Sequence, residues 1–400
     1  MTIMASAIVA AIAAAWTAGF GARRGFPLVP ASGRLGCIDG LRGYLALAVL
    51  AHHFAIWVDV SRFGAEWTQP PNDILEGFGR DGVALFFATT GFVFYPRILA
   101  GFLKADWVRI YIGRLFRILP MTIASIMLVL LFIVVNGRAV AGPSLSALLV
   151  WISGYDKPPL LGFEESYRVN AGVLWSIWYE WVFYLLILPV LAVGTNVAEA
   201  IGLRRLHGLV AGGFLMVALA LQHTYGVGRL SVFLPMFAVG MLAYELRGWE
   251  AIRRILAHPA MTPVALGALG ARLALGSAVP GYVAVGLDGL FFACVACGNS
   301  LFGVLMTRGA RVLGECSFSI YLMHGLVLAT FFITGARMAA MIDLNLLPLA
   351  MIPLAIVLAA VTMATFLWIE RPMIHVGGKV GAWWSGRRGA LTIAEREVAP

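Results

Sequence analysis

Charge is what this chain has least of. Asp, Glu, Lys and Arg make up 12% of its 400 residues, about half of the roughly 25% found in soluble domains. Once the apolar runs are set aside, no soluble domain of useful size remains. No Gly/Ser linker, low-complexity tract or internal repeat divides what is left. Cysteine is also scarce: Cys37, Cys294, Cys297 and Cys316 lie in or beside apolar runs, so neither a disulfide framework nor a zinc site is implied. Cys294-x-x-Cys297 has redox spacing, but inside FFACVACGNS packing is the simpler reading. The formal charge of +9 comes from 29 basic and 20 acidic residues scattered between apolar runs, which gives no patch for nucleic acid.

What the chain has in abundance is hydrophobic residues, 61% of the total. Apolar runs fall near residues 1–20, 40–58, 81–100, 118–136, 172–194, 208–222, 230–246, 259–277, 281–304, 315–335 and 347–369. Each is near the about 17–25 residues that a helix needs to cross the hydrocarbon core, with 208–222 the shortest. The run SLSALLVWISG, 144–154, is too short and reads as an interfacial or re-entrant piece. The expected fold is therefore all-α, a polytopic membrane helix bundle of about ten core transmembrane helices plus an extra N-terminal helix. Residues 1–35 read as the N-terminal hydrophobic helix and basic linker, 36–375 as one membrane domain, and 376–400 as a basic cytoplasmic tail, short and frayed after Pro372.

Basic residues in the loops set the orientation. If the helix carrying Arg42 enters from the cytoplasm, 21 of the 29 basic residues fall inside, including Arg34, the Arg97–Arg117 cluster, Arg204 and Arg205, and the C-terminal tail. This assignment stays consistent through every later span and makes the C-terminus cytoplasmic. The first span has no basic residue before it and two just after, which suits an outside N-terminus rather than a cleaved signal peptide.

Ionisable residues inside such spans are expensive and mark functional sites by default. Arg42 and His53 lie eleven residues apart in one apolar helix. At about 100° and 1.5 Å per residue they share a face and stand roughly 16 Å apart. A cation near one surface and a titratable base deep inside suit an elongated anionic substrate. Neutral imidazole at His53 can take a proton from a hydroxyl, or the ring can serve the bundle as a structural hydrogen-bonding group. His52 points about 100° away and reads as packing. In RIYIGRLFRILP, Arg114 and Arg117 are helix neighbours at i and i+3, with Lys104 and Arg109 nearby. They either clamp phosphate or simply enforce topology and touch anionic lipid.

Glu180 lies about eight residues into LWSIWYEWVFYLLILP and needs a partner or a watery cavity there. It could orient His53, contact an acceptor sugar, or pair with an arginine. The aromatic residues around it, Trp175 among them, fit an interfacial belt as well as sugar stacking. Tyr321 and His324 share a helix face at i and i+3, for an acceptor or for a structural hydrogen bond, and Asp288 is a further ionisable residue within a span. One function class that fits these residues is a proton-coupled transporter or flippase relaying protons through His53, Glu180 and Asp288, against which stands the lack of a repeat or of paired broken helices.

Six segments in chain order resemble one known family, the acyltransferase 3 superfamily of integral membrane acyltransferases, of the carbohydrate O-acetyltransferase type. IDGLRGYLALAVLAHHF resembles its opening helix with the basic-x10-His motif, here Arg42 to His53. GVALFFATTGFVF resembles the second signature, RLFR the Arg-x-x-Arg loop and LWSIWYEWVFYLLILP the Trp-Ser…Glu helix. LGECSFSIYLMH resembles the Tyr-Leu-x-His helix, and IERP the closing Glu-x-Pro. Ala84 departs from a commonly acidic position, which Asp81 could supply instead, and Thr90 replaces the usual Ser.

The resemblance implies an acyl-CoA co-substrate, acetyl-CoA first, with phosphates on Arg114 and Arg117 and with Arg42 near the entrance. The pantetheine arm would carry the thioester to His53, the catalytic base. Glu180 is the second catalytic candidate, and Trp175, Tyr321 and His324 are the candidates for binding the acceptor. No permanently bound cofactor and no metal are implied. The other partners are a carbohydrate or glycolipid acceptor and the lipid bilayer of the inner (plasma) membrane, and the outside loop 137–171 is the place for acceptor choice.

Overall fold

A backbone in hydrocarbon must satisfy its N–H and C=O groups within its own segment, so long apolar runs fold as helices. The computed structural model describes residues 2–28, 36–203, 208–225 and 229–397, and these contain helices and no strand. Arg34, Arg204 and Arg205, used above for orientation, lie outside the described residues.

The first half of the chain holds α1 (Ile3–Arg23), α2 (Gly36–Phe63), α3 (Asp73–Ala100), α4 (Trp107–Val135), α5 (Leu145–Ser153), α6 (Ser166–Val169), α7 (Trp175–Val182) and α8 (Leu188–Ala200). The second holds α9 (Gly208–Tyr225), α10 (Arg229–Gly248), α11 (Glu250–Ala257), α12 (Thr262–Leu275), α13 (Gly281–Cys297), α14 (Arg308–Glu315), α15 (Ser317–Ala329), α16 (Ala336–Met341), α17 (Met351–Thr365) and α18 (Arg371–Glu397). Among the described residues, seven helices are long and apolar enough to cross a membrane, and Gly208–Thr224 and Gly281–Cys297 are apolar but shorter. The protein is thus an all-α, multi-pass membrane bundle.

Two elements differ from the sequence reading. The run near 259–277 yields only the 14 residues of α12, about 21 Å of helix, short of the roughly 30 Å core. Gly276, at φ 54°, ends it in a conformation that favours glycine. The tail read as frayed is instead helical to Glu397. It is held along α4, where Gly377 lets Phe116 approach and Gly381 lets Arg109 approach. The short run 144–154 forms the nine-residue α5, capped by the Ser144 hydroxyl and closed by left-handed Gly154.

α2 stands at the centre, against α3, α14 and α15. Gly43 has no room for a side chain against Leu313 and the backbone of Gly314, and Gly314 in turn abuts the Asp39 carbonyl. Their backbones therefore touch, which sets the register between α2 and the α14–α15 pair. Ten residues beyond Gly43 is His53, and ten residues beyond Gly314 is His324, so the two histidines arrive at one level. Single π-turns at Phe183–Ile187, Thr330–Thr334 and Phe366–Glu370 interrupt the α geometry. The first carries Tyr184 and the third ends on Glu370; such turns re-aim side chains and frequently sit at functional sites.

Candidate active site

His53 and His324 meet across the α2–α15 contact, with His53 Nδ1 3.1 Å from His324 Nε2. His53 Nδ1 is also 3.0 Å from the Val49 carbonyl, and His324 Nδ1 is 3.2 Å from the Ile320 carbonyl. A carbonyl oxygen only accepts, so the network assigns the proton to Nδ1 of each ring. His53 Nδ1–H is then shared between the Val49 oxygen and the lone pair of His324 Nε2. That leaves His53 Nε2 with a free lone pair on a half-buried ring, the form a general base needs. His324, fully buried, orients that ring and accepts from the proton it carries, a positioning role.

Below this pair lies a cavity of about 600 Å³ between α2, α3, α4, α7 and α15, within the range of ligand pockets. Arg42, Arg114, Arg117 and Arg247 line it against the carboxylates of Asp39 and Glu180, so guanidinium charge is in excess. Arg42 lies 3.8 Å from Asp39. The Arg114 guanidinium sits 5.0 Å from the ring centre of Phe94 and 5.8 Å from that of Tyr184, aromatic faces that hold it without neutralising it. The Tyr184 hydroxyl donates to Glu180 at 3.3 Å. Glu180 thus sits in the wall that carries the arginines, and no described contact joins it to His53.

Tyr321 also lines the cavity, its hydroxyl donating to the Val173 carbonyl at 3.2 Å and its ring 6.0 Å from that of His324. Neither His53 nor His324 is a lining residue. Val83 is, and its neighbour Gly82 packs on Val49. Tyr321 lies one helical turn before His324, so the cavity wall comes within about one turn of the histidine pair through α15.

Elsewhere the expected residues part company. Trp175 packs on Tyr179 and Phe233, with ring centres 5.5 and 5.3 Å away, and is not among the cavity residues. His52 is buried, with Nδ1 2.8 Å from the Leu75 carbonyl, in line with its packing role. Asp288 lies 3.6 Å from Arg272, which donates to Asp81 at 2.8 Å; Arg80 donates to Asp81 at 3.0 Å. Asp81 is thus engaged in an ionic cluster with Arg80 and Arg272, and Ala84 is packed in the core.

Glu370, from the closing motif, is buried and accepts from the Ser319 hydroxyl on α15. Trp67 was missed altogether. It lies between α2 and α3 in a segment without periodicity, yet its ring runs nearly parallel to that of His53, at 6.5 Å. Among the described residues no cluster of His, Cys, Asp or Glu could hold a metal ion.

Comparison with known proteins agrees on one point. The sequence model described as an acyltransferase domain matches residues 35–383, most of the chain and all of the residues just placed. No curated protein and no solved structure matches.

Proposed function

The chain belongs to the acyltransferase 3 superfamily and is a membrane acyltransferase, and from that premise we propose its donor, its acceptor and its base. The donor is a cytoplasmic acyl-CoA, with acetyl the first choice of acyl group. The acceptor is a hydroxyl of an envelope or secreted carbohydrate, and His53 is the general base. The membrane is the inner (plasma) membrane, with the C-terminus on the cytoplasmic side. One observation carries this reading: the wall of a guanidinium-rich cavity includes Tyr321, one helical turn from the His324 that hydrogen-bonds His53, whose Nε2 is free to accept a proton.

In this reading Arg114 and Arg117 take the donor phosphates by charge-assisted hydrogen bonds, with Arg42 on the facing helix. The pantetheine arm runs along α2 past Tyr321, over the roughly 16 Å between the levels of Arg42 and His53. The acceptor hydroxyl gives its proton to His53 Nε2 as its oxygen attacks the thioester carbonyl carbon. The new C–O bond forms, and the tetrahedral intermediate collapses with cleavage of the C–S bond. The leaving CoA thiolate takes the proton back from His53, so the base is restored and no redox partner enters. During the transfer His53 bears positive charge, and its Nδ1–H keeps two acceptors, the Val49 carbonyl and His324 Nε2. The transporter reading is less well supported, since Asp288 is engaged with Arg272 and no described contact joins it to His53 or Glu180.

The test is His53→Ala in purified full-length protein in nanodiscs, with radiolabelled acetyl-CoA and a crude envelope-glycan fraction. Loss of a general base costs about 10²–10⁴-fold in rate, while saturable acetyl-CoA binding and the melting temperature stay at wild-type values. Normal transfer by this variant removes His53 as the base. Proton-coupled solute uptake by proteoliposomes without acyl-CoA would favour transport.

A further inference from the structure

The arginines of the cavity come from different walls. Arg114 and Arg117 enter from α4, which packs on α15 and α18, whereas Arg247 enters from the last turn of α10, which packs on α3, α9 and α13. Arg42, Arg114 and Arg117 are within electrostatic reach of Glu180, and Arg247 is within reach of Cys297 at the end of α13. On α3, Phe94 meets the Arg114 guanidinium at 5.0 Å, and Phe92 meets the ring of Tyr244 at 5.4 Å. Tyr244 is one turn before Arg247, and all three aromatic residues line the cavity. An aromatic surface therefore runs from one arginine wall to the other.

Three arginines crowd the corner between α10 and α11, and only one of them keeps its charge unspent. Arg253 and Arg254 both pair with Glu250, Arg254 at 2.7 Å. Arg247 is half-buried against the cavity and has no hydrogen-bond or ion-pair partner among the described residues. Partial burial strips water from a guanidinium, and an anion with matching acceptors returns that cost.

We infer that Arg247 and Tyr244 form a subsite for a 3′-phosphoadenosine group, and that this subsite selects donors bearing a phosphate on the ribose 3′-oxygen. The inference rests on the acyl-CoA reading. CoA carries phosphate in two places, the 5′-diphosphate that leads into the pantetheine arm and the 3′-monoester on the far side of the ribose. With the arm running along α2, the diphosphate lies where the arm begins, beside Arg42, Arg114 and Arg117. The monoester bears about −1.5 to −2 charges at pH 7 and needs a cation of its own. Arg247 is the remaining guanidinium among the described lining residues. The flat apolar face of adenine suits Tyr244 and Phe92. A donor without the monoester leaves Arg247 desolvated and unpaired, and that penalty is the means of selection.

The experiment compares CoA with 3′-dephospho-CoA as ligands of full-length protein in nanodiscs. Wild type should bind CoA about tenfold or more tightly than 3′-dephospho-CoA. Arg247→Gln should bring the two affinities within about threefold of each other, by weakening CoA alone. Arg247→Lys, which keeps the charge, should retain part of the preference. Arg114→Gln should weaken both ligands alike and leave their ratio at the wild-type value.

A second measurement needs no variant. When wild-type arginines are labelled with phenylglyoxal and read by mass spectrometry, CoA should protect Arg247 and 3′-dephospho-CoA should not. Arg254, with a side chain 76% exposed, should label equally with either ligand. The inference is overturned if wild type binds the two ligands equally, if Arg247→Gln keeps the preference, or if both ligands protect Arg247 alike. Any of these with CoA still bound leaves the acyl-CoA reading standing. Binding of adenosine 3′,5′-bisphosphate that depends on Arg247, in a protein that never transfers acyl groups, would sink that reading and keep the subsite.

Discussion

Two groups of charge are sunk into this bundle, and they are organised in opposite ways. Around Asp81, each charge faces another. Arg272 bridges Asp81 and Asp288, Arg80 joins Asp81 to Glu76, and Arg272 also donates to the Gly276 carbonyl at 2.7 Å. Asp81, Arg272 and Asp288 are each at most 4% exposed. Around Glu180, guanidinium groups outnumber carboxylates, and all of them border an open cavity. Both groups place charge inside the bundle, the first buried and the second half-buried against the cavity, so an ionisable residue in a span does not by itself report function. The difference lies in whether the charge is spent on a partner within the protein. The first group ties α3 to α12 and α13; the second is left with charge to offer a ligand.

This contrast predicts that substitutions in the closed group cost stability and those in the open group cost binding. The largest effect is expected for Arg272→Leu, which strands two buried carboxylates. Breaking a buried pair by removing one partner costs about 3–5 kcal/mol. The melting temperature in detergent should fall sharply, while acyl transfer per folded molecule is kept. Unchanged melting with lost transfer would place Arg272 in the chemistry and erase the distinction.

A smaller effect is expected for Arg114→Gln. A hydrogen bond to a charged group is worth about 1.5–3 kcal/mol, so acetyl-CoA should bind roughly 10- to 100-fold more weakly with melting unchanged. Equal loss of a phosphate-free donor, such as acetyl-pantetheine, would argue that Arg114 does not read phosphate. The smallest effect is expected for Tyr184→Phe, which removes one hydrogen bond to Glu180, about 0.5–1.5 kcal/mol. If that variant instead abolished transfer while acetyl-CoA still bound, Glu180 and Tyr184 would belong to the reacting centre rather than to the cavity wall.

Much of the membrane fold was legible because crossing a bilayer leaves a coarse signal. Runs of about twenty apolar residues become helices wherever hydrocarbon replaces water, and each of the eleven runs corresponds to a helix here. The exceptions are places where a run does not fix its own ends. α12 stops early at a left-handed glycine, and the polar segment after Pro372 stays helical because α4 offers a surface for it. The expected site residues gather only in part. Arg42, Arg114, Arg117, Glu180 and Tyr321 line one cavity, His53 and His324 pair with each other, and Trp175 stays in aromatic packing. Trp67 carried no signal at all, because a residue in an aperiodic connection can be placed only by the walls around it.

By itself the sequence determined which segments are helices, which residues share a helix face, and how far apart Arg42 and His53 lie, since helical rise and turn are local properties. The series of motifs pointing to an acyltransferase was likewise written in the chain. Only the tertiary structure decided that His324 would meet Nδ1 of His53 and leave its Nε2 free, that Asp288 would be spent on Arg272, and that Trp67 would lie beside His53. These contacts depend on the register between helices. That register is set by backbone contacts such as Gly43 on Gly314, between residues some 270 positions apart, and no local periodicity encodes it.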